Sequence, residues 1–283
     1  MRTPDVVIVG AQKAATTGLL HTLGQHPAVI TPRVHEATTL HLGPADWPGW
    51  LRSYEPELER VDKDQVVLVK LATAMHFRDT LETIKALNAD ARVVGVLRHP
   101  VDRMLSLHRY ATQQGLESRA PEEALRDDRV QRAAHWRLNT YSSGSRYASA
   151  ISTIQEVFGP DQVVFVDYAD ASRPANLLAL QGFLGLDPVL LRPVRANESR
   201  EPRSGGVARA TNAGLLRALG RLTVPARWRD GVRSSLQTWN ASSAPPRQAV
   251  ISTDFRTKLL ERHSPDVDAA EDVLARSLPA WRM

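Results

Sequence analysis

Four short runs of mostly β-branched residues stand out from an otherwise mixed chain, at positions 6–9, 66–69, 93–97 and 163–166. Each is apolar on successive positions rather than on alternate ones, the pattern of strands covered on both faces. Apolar residues recur at helical spacing over 18–25, 79–87, 101–113, 142–157 and 175–184. Gly10, Pro100 and Gly159 lie close to three of the runs and favour strands over pieces of buried helix. Strands alternating with helices predict the α/β class, a three-layer fold with a central parallel sheet flanked by helices. The stretch 192–209, charged and containing Pro193, Pro202 and the pair Gly205-Gly206, predicts a long loop rather than a linker. The chain therefore reads as one domain over 1–283, with its core at about 5–190 and a looser region at 191–283.

Composition narrows the function. With 42% apolar residues in 283, the chain buries a sizeable core, and with no cysteine it has neither disulfides nor thiolate chemistry. The run at 6–9 is too short for a signal-peptide core, and no segment approaches the roughly 18 apolar residues of a membrane span. The expectation is a cytoplasmic protein without a membrane partner. A net charge of +5 suits an anionic ligand. The arginines are scattered with few aromatics between them, so no nucleic-acid partner is expected.

The segment from Val6 to Leu20 passes from strand to turn to helix. Small residues at Gly10, Ala11, Ala14 and Ala15 let backbone N–H groups approach a ligand oxygen, and the helix start adds free donors and partial positive charge. Gln12, Lys13, Thr16 and Thr17 complete a candidate anion site. A nucleotide P-loop would read G-x-x-x-x-G-K-[ST]. Here Gln12 precedes Lys13 and Ala14 follows it, so the hydroxyl that anchors Mg²⁺ beside the lysine is missing. A kinase using ATP-Mg and a non-catalytic basic binding protein remain as alternative readings.

A second strand-to-helix segment runs from Val93 to His108. Arg98 falls at the strand's carboxyl end, where open α/β sheets bind ligands, and Ser106 lies about two turns on. An arginine fork and a hydroxyl suit a terminal phosphate. His99 reads as a strand-end residue near the ligand, and Arg103 as a helix-surface charge.

Taken together, "VGAQKAATT" and "VLRHPVDRMLSLHRY" resemble the two cofactor-binding elements of sulfotransferases that use 3'-phosphoadenosine 5'-phosphosulfate (PAPS), closest to the heparan-sulfate and bacterial carbohydrate-type branch. The resemblance extends through "EEALR", "GSRYASAI", "QVVFVDYAD" and "LQGFLGLD", and the "LPAW" at 278–281 is similar to the family's usual ending. It implies a P-loop-like fold, PAPS as donor and adenosine 3',5'-bisphosphate (PAP) as product. It places the 5'-phosphosulfate on the first element and the 3'-phosphate on Arg98 and Ser106. It also implies a hydroxyl-bearing glycan or small-molecule acceptor, with no metal required.

Within that family Lys13 is placed to neutralise charge on the leaving phosphate. Glu36 corresponds to the general base of the heparan-type branch, with His35 where that branch has lysine, and His35 or His41 is the alternative base. The stretch "HEATTLH" is not the zinc motif HExxH, since position 39 is Thr39. Lys70 aligns with a lysine that approaches the transferring sulfate. Arg200, Arg203, Gly205 and Gly206 match a basic loop that closes over the cofactor. Oligomeric state and the acceptor's identity are not readable from the chain.

Overall fold

The computed structural model describes residues 3–32, 61–132, 139–194 and 250–282. They fall in two compact units, one comprising Met1–Pro100, Arg146–Asn197 and Leu260–Met283, the other Val101–Ser145 and Glu198–Leu259. No helix among the described residues is long and apolar enough to cross a membrane.

The first unit is built on a parallel five-stranded sheet: β1 (Val6–Gly10), β2 (Val29–Ile30), β3 (Val66–Lys70), β4 (Arg92–Leu97) and β5 (Val163–Asp167), in the order β2-β3-β1-β4-β5. The α/β class and the four strands expected from the apolar runs are present, and β2, only two residues long, is an addition. The helices are α1 (Thr16–Leu23), α2 (Arg78–Leu87), α3 (Pro100–Gln113), α4 (Pro121–Arg126), α5 (Ala148–Phe158), α6 (Pro174–Phe183) and α7 (Thr253–Leu274). From Val101 onward α3 belongs to the second unit, as do α4 and the start of α7. All five residues of central β1 are buried, which is why its sequence has no polar face. The chain leaves β1 toward β2 and β3 on one side and places β4 on the other. The strand order therefore reverses at β1 and β4, the position where such sheets open a ligand crevice at their carboxyl ends.

Close approach explains one glycine. At Gly95, paired with Phe165 in the register of β4 and β5, a Cβ would stand 2.4 Å from the phenyl ring. The helix expected over 142–157 is divided, with a single 3-10 turn at Ser143–Ser145 and α5 starting only at Ala148. The remote Asp266 carboxylate accepts the N–H groups of Tyr147 (2.6 Å) and Ala148 (3.4 Å), which fixes the start of α5.

In the second unit Arg103 is not the surface charge expected from its sequence setting. It is 2% exposed, and its Nη1 donates to the Thr140 carbonyl (3.2 Å), the Tyr141 carbonyl (3.1 Å) and Ser145 Oγ (2.9 Å). The guanidinium gathers the acceptors of the 140–145 turn, and a Cβ at Gly144 would stand 2.5 Å from Nη2. A second buried group, Glu117, accepts from Arg119 Nη2 at 2.8 Å, from Tyr141 Oη at 3.1 Å and from the Gln131 N–H at 3.2 Å. Burial alone would raise its carboxyl. The hydrogen bonds from Arg119 and Gln131 outweigh that and lower it to about 2. Burial and the Glu117 charge push the Tyr141 phenol up.

A carboxylate whose pKa falls on folding contributes stability above its unfolded value near 4.3, and loses it as pH drops toward 2. Glu117→Gln is therefore expected to destabilise the protein by about 3 kcal/mol at pH 7, since it leaves the largely covered Arg119 without its anion. In urea titrations the gap between wild type and variant closes as pH falls from 5 to about 2. A gap independent of pH over that window would show that the charge of Glu117 contributes nothing.

Candidate functional site

The first cradle follows β1. Two residues that are not glycine, Lys13 (φ 72°) and Ala15 (φ 56°), adopt left-handed backbone within three positions. Each conformation costs on the order of 1 kcal/mol for an L-residue. An alternation of hand of this kind is the backbone pattern found in anion-binding concavities. The Ala14 N–H turns back to the Ala11 carbonyl at 3.1 Å, and the Ala11 N–H donates to the Val96 carbonyl at 2.6 Å, which seats the loop against β4. Ala14 is buried, so a larger side chain would clash there. Helix α1 then starts at Thr16, where the first N–H groups of a helix have no acceptor within it.

Two distant side chains converge on this loop. Arg98 leaves the end of β4 and donates Nη1 to the Lys13 carbonyl at 2.7 Å, joining the two elements picked out in the sequence. Its guanidinium carbon sits 4.5 Å from the centre of the Tyr168 ring, at the end of β5. Its Nε is buried without a hydrogen-bond acceptor among the described residues, so part of the fork has no acceptor from the protein. Lys70, 6% exposed at the carboxyl end of β3, donates Nζ to Thr17 Oγ1 at 2.9 Å. Three adjacent strands thus deliver Lys13, Lys70 and Arg98 to the same loop. The Gln12 Oε1 atom, also buried there, has no donor among the described residues.

A strut supports Arg98 from behind. Tyr147 Oη donates to the Arg98 carbonyl at 3.0 Å, and the buried Trp281 packs in a tilted contact 5.4 Å from the Tyr147 ring while its Nε1 donates to Asp167 Oδ2 at 2.8 Å. Tyr168, Tyr147 and Trp281 fall within stretches that carry the family resemblance, but the sequence alone assigned none of them a role. A tyrosine at the end of the last strand run, directly after Asp167, was the available signal for Tyr168.

Ser106 lies on α3 in the second unit, 9% exposed. His99 follows Arg98 and is buried, also 9% exposed. Glu36, His35, His41, Arg200, Arg203, Gly205 and Gly206 lie outside the described residues.

The sheet order and the converging basic side chains define an α/β protein with Lys13, Lys70 and Arg98 gathered around one loop at the carboxyl edge of its strands. A sequence profile of the sulfotransferase domain matches residues 3–196, and the chain belongs to that family. Members transfer a sulfuryl group to hydroxyl-bearing acceptors. Among solved structures, the fold resembles a sulfotransferase from Alicyclobacillus acidocaldarius, with 20% identity, 100% of both chains covered and a TM-score of 0.70. Weaker overlap is found with the sulfotransferase domain of the curacin biosynthetic pathway (14% identity, 93% of this chain and 98% of that one, TM-score 0.47). It is found too with that of the Synechococcus PCC 7002 olefin synthase (16% identity, 99% and 98% covered, TM-score 0.46). No curated protein matches the chain in sequence.

Proposed function

We propose that the protein moves a sulfuryl group from PAPS to a hydroxyl of a glycan or small-molecule acceptor. The observation that carries this reading is the bond from Arg98 to the Lys13 carbonyl, which unites a strained oxyanion cradle with a guanidinium that has a buried, unsatisfied donor. Gln12, Lys13, Ala14, Ala15, Thr16 and Thr17 would hold the 5'-phosphosulfate, with Arg98 and Ser106 on the 3'-phosphate. PAPS supplies an activated sulfuryl group on a phosphosulfate anhydride. The chain's own groups do the rest. Glu36, or His35 beside it, accepts the proton released when the acceptor oxygen bonds to sulfur. Lys13 meets the charge left on the departing phosphate, and Lys70, held by Thr17, adds a second cation facing the same loop. Arg200, Arg203 and Gly205 would close over the nucleotide.

Calorimetric titration with PAP and, separately, with ATP-Mg tests the donor. Selective PAP binding is expected, at least about tenfold tighter than ATP-Mg, because an arginine fork rewards a terminal phosphate at the 3' position. A preference for ATP-Mg, or no PAP binding, would overturn the proposal.

A further inference from the structure

The helix that carries Ser106 bears two more donors on the same face. Ser106, Arg109 and Gln113 stand at i, i+3 and i+7 of α3, within a narrow arc of the helix surface. Ser106 is buried, 9% exposed. Arg109 Nε and Gln113 Nε2 are both buried with no acceptor among the described residues. A buried donor without a partner costs about 1–3 kcal/mol, and two of them one turn apart make an uncompensated patch that protein packing alone does not explain. The carboxylate that α3 carries in its first turn, Asp102, is engaged by Arg256 at 3.1 Å.

We infer that Arg109 and Gln113 form an oxyanion subsite, separate from the cofactor phosphate, that holds a carboxylate or sulfate carried by the acceptor. Ser106 and Gln113 are separated by a rise of roughly 10 Å along the helix, too far for one phosphate to satisfy both. Arg109 and Gln113 are about 6 Å apart in rise, a distance a fork and an amide bridge by closing on one planar or tetrahedral anion. The acceptor is then an acidic hydroxyl compound, an acidic sugar or hydroxy acid, rather than a neutral one. The inference rests on the sulfotransferase reading only in taking the anion to belong to the acceptor.

The test uses the full chain, ¹⁵N-labelled and saturated with PAP, so that the cofactor site is filled. Sodium sulfate is titrated in and the arginine Nε–Hε signals are followed. A saturable shift is expected, assigned to Arg109 by its disappearance in Arg109→Lys. Sulfate affinity falls about tenfold in Arg109→Ala and several-fold in Gln113→Leu, while PAP affinity stays within twofold. Glucuronate displaces the sulfate and methyl glucoside does not. Should sulfate leave the Arg109 signal unmoved, or the neutral sugar compete as well as the acid, the acidic-acceptor assignment is wrong. Equal losses of PAP and sulfate affinity in Arg109→Ala would instead give the guanidinium to the cofactor. If PAP itself does not bind, the titration is run without it, and a sulfate shift at Arg109 then preserves the subsite while the sulfotransferase reading falls.

Discussion

Lys13→Ala is expected to lower the rate of sulfuryl transfer by on the order of 100-fold or more with the fold intact. The backbone at this position has φ 72°, and alanine tolerates that region about as well as lysine does, so the substitution removes charge without adding strain. The tie from Arg98 runs to the main-chain carbonyl of Lys13 and survives the change. On the proposed function, what is lost is the ammonium that would meet charge on the leaving phosphate, an interaction strongest in the transition state. The loss therefore appears in kcat, with PAP affinity changed by only a few-fold. Steady-state kinetics beside calorimetry separates the two quantities. A variant with full kcat and poor PAP binding would move Lys13 from chemistry to simple anchoring.

Arg98→Ala has the opposite signature. Removing the guanidinium takes away charge-assisted bonds worth about 1.5–3 kcal/mol each, and PAP affinity should fall by roughly 100-fold. It also releases the Lys13 carbonyl and the stack on Tyr168, so the cradle loses a brace as well as a charge. Arg98→Lys keeps the charge but not the planar fork and should recover little of the affinity. If Arg98→Lys bound PAP like wild type, the bidentate geometry assigned to this residue would be wrong. Because Arg98 is joined to the loop that carries Lys13, the double variant is expected to lose less than the sum of the two single losses.

How much of this was readable beforehand follows from where the information is stored. Strands covered on both faces show themselves as unbroken apolar runs, which made β1, β3, β4 and β5 legible. Strand β2, two residues long, leaves no such run. Helix α7 was passed over because its sequence is strongly charged and includes Pro265, a residue that ordinarily interrupts a helix. The order along the chain drew attention to the turn after β1 and to Arg98, since each sits at a strand-to-helix junction, and the structure joins the two through the Lys13 carbonyl. Arg103 was misread because an arginine among helical polar residues looks solvated. Only the folded turn reveals the three acceptors that draw it inward. The contributions of Tyr168, Tyr147 and Trp281 depend on contacts between segments far apart in the chain, which local pattern does not encode.

The strut behind Arg98 also has a place in time. All five described strands have been synthesised once Asp167 emerges, yet the indole that caps Asp167 and steadies Tyr147 comes from a residue 114 positions later. A nascent chain can thus form these five strands while the support for Arg98 is still missing, and on the proposed function nucleotide affinity would mature only when the turn at Pro279–Arg282 docks. The same order makes the segment around position 281 a vulnerable point, because a protease that cuts before Trp281 would remove the support behind Arg98 while leaving the five described strands in place.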